Sequence, residues 1–221
     1  MRLFTRCILP GLALLLLASP LRADVLFSQP VIDGGVALAS DFARFQQEAD
    51  NFALPQAAAV QTVHWWGVYA NNDMPTDNFT LRFFADTAGN PALTPVVNVS
   101  LSGVTRTATS LHDNLGDLIY SYETTLPTSV LFDGTTPYYL SLVNNTGDWD
   151  WVGSGPGTHW ARPDDASAWT VSSNTTDFSF ELSGTPVPEP STLLLLAVST
   201  VGMIAWPGRR KRRARKEVGI R

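Results

Sequence analysis

Residues 24–185 of this 221-residue chain predict an all-β fold, an antiparallel β-sandwich. Three observations carry the prediction. Apolar and polar residues alternate over short runs, the period of a strand with one buried face. Clusters of Gly, Pro, Asn and Asp separate those runs and supply the geometry that reverses a strand. No stretch of this region sustains a helical period. Many short strands at such spacing fit two packed sheets.

The elements follow in order. Residues 1–23 read as a secretory signal peptide: Arg2 and Arg6 give a positive start, Ile8 to Ala18 an apolar run, and Ala23 a small residue at a cleavage edge. The apolar run is far short of the ~20 residues that span a bilayer. Cys7 precedes it and is therefore not the lipid-bearing cysteine of a lipoprotein. Strands are expected at Val25–Gln29, Asn51–Leu54 and Ala59–Tyr69, with Asp41–Ala49 as a turn or a short helix on the sandwich edge. Phe79–Phe84 alternates, burying Phe79, Leu81 and Phe83 and exposing Thr80 and Arg82. Val96–Leu101 and Val104–Thr109 predict a hairpin joined at Ser102 and Gly103. Asp117–Leu126, Tyr138–Val143 and Phe178–Leu182 complete the set.

Thr62–Tyr69 is apolar on both faces, with Val63, Trp65, Gly67 and Tyr69 on one and His64, Trp66 and Val68 on the other. That implies a central strand covered on both sides, or one whose outer face lies under a loop. Trp65 and Trp66 read as packing, with a ligand site at Trp66 as the alternative. Gly67 marks a bulge or a close backbone approach.

Charge excludes one class of partner. Residues 24–185 hold four arginines and no lysine against 18 Asp and Glu, a formal charge of −14. Nucleic acid needs basic residues to neutralise its phosphates and is not a partner. No cysteine lies in this region, so it has no internal disulfide. The histidines at 64, 112 and 159 lack zinc-ligand spacing, and no metal site is assigned.

The C-terminal segment, 186–221, has a different character. Pro186, Pro188 and Pro190 end the sheet region and start an extended spacer. Ser191 to Trp206 is uncharged and reads as a membrane helix. Arg209, Arg210, Lys211, Arg212 and Arg213 follow as a cytoplasmic stop signal. Val187-Pro188-Glu189-Pro190, the apolar helix and the Arg-rich end together resemble the PEP-CTERM sorting signal of exported bacterial proteins. The resemblance implies a transient inner-membrane anchor, recognition by an exosortase-like processing enzyme, and delivery to the cell surface or extracellular matrix. The Asp50–Phe52, Val63–Tyr69, Asp77–Asp86 and Pro137–Asn144 stretches are similar to jelly-roll, galactose-binding-like modules of secreted bacterial proteins, which bears on fold rather than on ligand.

Residues 144–165 read as a loop, because Gly147, Gly153, Gly155 and Gly157 punctuate them. With Trp169 the region holds four of the six tryptophans in 24–185. Trp149, Trp151 and Trp160 beside Asp148 and Asp150 form a candidate glycan-binding platform, since a sugar ring needs an apolar face and polar groups at its rim. The competing reading has Trp149 and Trp151 on one strand face, capping the core. Asp113–Asp117 and Asp148–Asp150 are fragments of an oxygen shell for structural Ca²⁺, without an EF-hand loop. No nucleophile elbow, zinc helix or phosphate loop is present. A glycoside-active enzyme using Asp148, Asp150 or Glu123 is the third alternative. The leading expectation is an exported, non-enzymatic surface or matrix protein, with a carbohydrate-binding module as the second.

Overall fold

The structure is a computed structural model and describes residues 23–70, 76–101 and 104–187. The expected signal peptide, the membrane helix, Pro188, Glu189, Pro190 and the Arg209–Arg213 cluster lie outside the described residues. Every element named below belongs to one compact unit that ends at Pro186, and a second unit runs from Val187.

The first unit is built from strands β1 (Asp24–Gln29), β2 (Ala37–Ala39), β3 (Gln47–Phe52), β4 (Ala58–Tyr69), β5 (Phe79–Thr87), β6 (Asn90–Pro91), β7 (Val97–Leu101) and β8 (Thr105–His112). It continues through β9 (Leu118–Phe132), β10 (Tyr138–Asn144), β11 (Trp149–Gly155), β12 (His159–Arg162), β13 (Thr170–Val171), β14 (Asp177–Phe178) and β15 (Phe180–Pro186). Among the described residues there is no α-helix, and no helix long and apolar enough to cross a membrane. Phe42–Phe45 is a turn, and Phe45 there takes φ 54°.

Two sheets form, in which every strand pair is antiparallel. The first is centred on β4. Its residues 58–67 pair with β9 along one edge, and on the other it meets β15 and then β11. β1 lies beyond β15, β2 beyond β11, and β8 beyond β9. The second sheet runs β13-β12-β3-β10-β5, with β6 and β7 both on β5. Between the sheets Trp65, Phe79, Phe83, Tyr122, Leu140, Trp149, Trp151 and Phe180 form one core. These two antiparallel sheets are the sandwich that the alternation predicts, and they are consistent with a jelly-roll-like module.

The hairpin expected at 96–109 does not form. β7 pairs with β5, from Phe79↔Leu101 to Phe83↔Val97, whereas β8 pairs with β9 in the other sheet. The two strands therefore lie in different sheets. Each strand finds a longer partner elsewhere, β7 covering an apolar strand that is buried along most of its length. The β9 strand also outruns its expected end at Leu126. Its register on β4 jumps from Thr62↔Thr125 to Val60↔Val130, and Pro127, which has no N–H to give a ladder, sits inside that bulge.

Candidate functional site

Residues 144–165, expected as a loop, contain two strands, and the tryptophans there are interior. Trp149 and Trp151 alternate on β11 and point into the core, both 0% exposed. Trp151 stacks on Phe178 at 4.5 Å between ring centres, and its Nε1 donates to the Ser179 carbonyl at 3.1 Å. Trp149 meets Phe79 edge-on at 5.0 Å and lies on Gly67, where any Cβ would collide with the indole. That contact explains the glycine in an otherwise bulky strand. Trp160 is on the opposite side of the molecule, in a cluster with Ala49, Phe84, Tyr139 and Trp169 on the outer face of the second sheet. Its ring meets Tyr139 edge-on at 4.8 Å, and its Nε1 donates to Asn90 Oδ1 at 3.1 Å. The three rings are therefore not joined in one exposed platform. Inward alternation along a strand outweighs the glycines that suggested a loop, because Gly153 and Gly155 lie within β11 itself.

The aspartates beside them hold structure. Arg44, in the turn before β3, donates from Nη2 to the Trp149 carbonyl at 2.6 Å and pairs with both Asp41 and Asp150. Burial raises the Asp150 carboxyl, and the nearby Arg44 guanidinium opposes that rise. Asp148 takes φ 58° at the entry to β11. Asp113 Oδ1 accepts the N–H groups of Leu115 and Asp117 at 2.9 and 2.8 Å, closing its turn. Among the described residues, no group of three or more His, Cys, Asp or Glu side chains is arranged to hold a metal ion.

The outer face of the second sheet is closed by cations. Arg162 lies 4.3 Å over the Trp169 ring and 5.3 Å over Phe84, and its Nη2 meets Asp165 at 2.8 Å. Arg82 reaches the same carboxylate at 2.9 Å. Both guanidinium groups also donate to Gln47 Oε1 at 3.0 Å. Burial lowers the pKa of each arginine, and Asp165 holds it up.

The outer face of the first sheet is more open. Register aligns Ser28, Glu181, His64, Glu123 and Thr105 in one row across β1, β15, β4, β9 and β8. The His64 ring lies tilted against Trp66, with 4.1 Å between ring centres. Trp66 is half-buried against Val68, Ile119 and Val152, while the other five tryptophans of 24–185 are buried. Val31, Ala37 and Leu111 cover this cluster, so the outer face of β4 is roofed in part, as its two apolar faces imply. Burial lowers the His64 pKa, and Glu123 and Glu181 counter it. The two carboxylates flank His64 in this row, and the half-open Trp66 indole lies next to that imidazole, opposite Ser121.

A further cluster was not legible as a site. Glu48 and Asp50 on β3 and His159 on β12 are all buried on the inner face of the second sheet. Gln47–Asp50 reads as polar and falls in the region expected to be a turn or helix. Only the alternation of Glu48, Asp50 and Phe52 signals a common face, and only the ladder brings His159 beside them.

These features define an all-β antiparallel sandwich followed by a separate C-terminal unit. Residues 186–212, spanning the start of that unit, match the PEP-CTERM protein-sorting motif. Comparison with curated proteins finds no significant match. The motif supports an exported protein that is sorted by exosortase-like machinery, with a membrane anchor that is transient in principle.

Proposed function

We propose that residues 24–185 form a non-catalytic structural domain of the cell surface or extracellular matrix. A signal peptide at 1–23 delivers it, the segment 191–206 anchors it for a time, and an exosortase-like enzyme releases it. The observation that carries this reading is the sorting motif at 186–212, which begins where the last strand of the sandwich ends, at Pro186. The apolar segment, Ser191 to Trp206, sits at or below the ~17–25 residues of a stable span, as suits a temporary anchor. The basic cluster would stay cytoplasmic until processing. Intact mass spectrometry of the surface form is the test. The expected mass lacks the leader and everything beyond the Pro-Glu-Pro region, and Glu189→Ala should leave the uncut chain in the membrane. A surface form that still carries the Arg-rich tail overturns the reading.

A carbohydrate-binding reading is favoured by one observation, the half-buried Trp66 ring against His64, whose ladder partners are Glu123 and Glu181. It suits this face better than Trp149, Trp151 and Trp160, whose ring faces are covered. A charge of −14 would select neutral or cationic glycans. Glycan-array signal lost in Trp66→Ala, with an unchanged melting temperature, would support it.

A further inference from the structure

Inside the sandwich Glu48 Oε2 and His159 Nε2 face each other at 3.5 Å. Both side chains are essentially solvent-free, and neither atom has another hydrogen-bond partner. The other end of each group is fixed. Glu48 Oε1 accepts from Gln46 Nε2 at 2.6 Å. His159 Nδ1 lies 2.7 Å from the Thr176 carbonyl, which can only accept, so Nδ1 carries a hydrogen. In a neutral ring Nε2 is then a bare acceptor. An ionised Glu48 opposite a bare Nε2 would set two acceptors against each other in a dry interior.

We propose that Glu48 and His159 share one buried proton, held on the carboxyl and directed at the imidazole, and that this proton makes the sandwich sensitive to alkaline pH. The titratable groups at this corner are Asp50 on β3, whose own carboxyl is raised by burial, and Asp177 on β14, whose charge works against the burial that lowers the His159 pKa. Ser40, Gln46, Thr176 and the Phe178 ring, the last at 4.8 Å from the His159 ring, contribute no charge. Asp50 already accepts the N–H of Phe178 at 2.5 Å and that of Asn51 at 2.8 Å. Burial pushes the Glu48 carboxyl up to about 8 and pushes the His159 imidazole down.

The sign of the pH effect follows from counting protons on the pair. The unfolded chain titrates glutamate near 4.5 and histidine near 6.5. Between those values it carries one proton on histidine, and the folded pair carries one on Glu48, so this pair imposes no pH slope. From 6.5 to about 8 the folded pair keeps its proton and the unfolded chain has none. Stability falls through that window as pH rises. One retained proton lowers the folding equilibrium constant by about tenfold per pH unit.

The test compares the full chain in mild detergent with its Glu48→Gln variant by equilibrium unfolding between pH 6.5 and 8. The Gln amide donates to His159 Nε2 and accepts from Gln46 without a titrating proton. The wild type should lose about tenfold more in folding constant per pH unit than the variant. Parallel pH dependences overturn the proposal. If Glu48→Gln does not fold, nuclear magnetic resonance of the wild type decides it. The expected result is a Glu48 carboxyl that titrates near 8, with His159 in its Nδ1–H form. A Glu48 carboxyl already ionised at the ordinary glutamate value overturns it.

Discussion

Trp65 and Trp66 are adjacent in sequence and lie on opposite faces of the same sheet. Trp65 is 0% exposed and packs face-on to Tyr122 at 5.6 Å and edge-on to Phe79 at 5.4 Å. Trp66 is half-buried, touching His64 on one side and a small apolar cluster on the other. The inner face of the sheet is a continuous aromatic core, whereas the outer face carries a polar row through His64 and, around Trp66, a small apolar cluster. Abundant tryptophan in this protein is thus mainly a property of its interior. A ring becomes available for recognition by the face it occupies, not by the company it keeps in sequence.

The contrast can be broken most sharply from the inside. Trp151→Ala should destabilise the domain by about 3–5 kcal/mol, as expected for deleting a fully packed ring. Chemical denaturation would read this as a lower midpoint at constant slope. A loss under 1 kcal/mol, by the same measure, would mean the ring is not in the core. Next in size is Gly67→Ala, where the added methyl must displace the Trp149 indole. An overpacked core of that kind costs about 1–3 kcal/mol. On the outer face Trp66→Ala should cost only about 1 kcal/mol, in proportion to the area that a half-buried ring removes from water. The smallest effect belongs to Glu123→Gln. It removes a carboxylate that favours the charged imidazole, so His64 should titrate still lower in a nuclear magnetic resonance titration. Stability should stay within about 0.5 kcal/mol, as for most surface changes. An upward shift of His64 would contradict the register that places the two side chains together.

Strands with a plain alternation were readable directly. Val25–Gln29, Ala59–Tyr69, Phe79–Phe84 and Tyr138–Val143 all fall inside observed strands, because β-branched and aromatic runs bounded by turn clusters mark a strand even where the second face is covered, as at Thr80 and Arg82, expected to be exposed and in fact buried. The two-residue strands β6, β13 and β14 were not readable, since a pairing partner defines them and composition does not. The same cause lies behind the misplaced hairpin at 96–109. A turn signal says that the chain reverses, whereas the choice between β5 and β9 as partners is settled by distant strands. In β11, Gly153 and Gly155 concealed a strand that Trp149 and Trp151 announced. The Glu48–His159 contact was beyond reach for another reason. Its members sit on different strands, and only the Glu48↔Ala161 and Asp50↔His159 pairings of the ladder bring them together.

The ladder between β1 and β15 joins the two ends of the domain, with Asp24 opposite Gly184. β15 is the only strand that β1 pairs with among the described residues. Closing so long a loop is an entropic cost met late in folding. Until the final strand arrives, β1 has no ladder partner and the flank of β4 that β15 covers stays bare, an edge open to mispairing between chains. On the export route proposed above, with the amino terminus leading, the sheet is complete only once the chain has crossed as far as Pro186. A chain cut short before Phe180 would emerge with its first strand unpaired, and proteases would meet it as an unfinished fold.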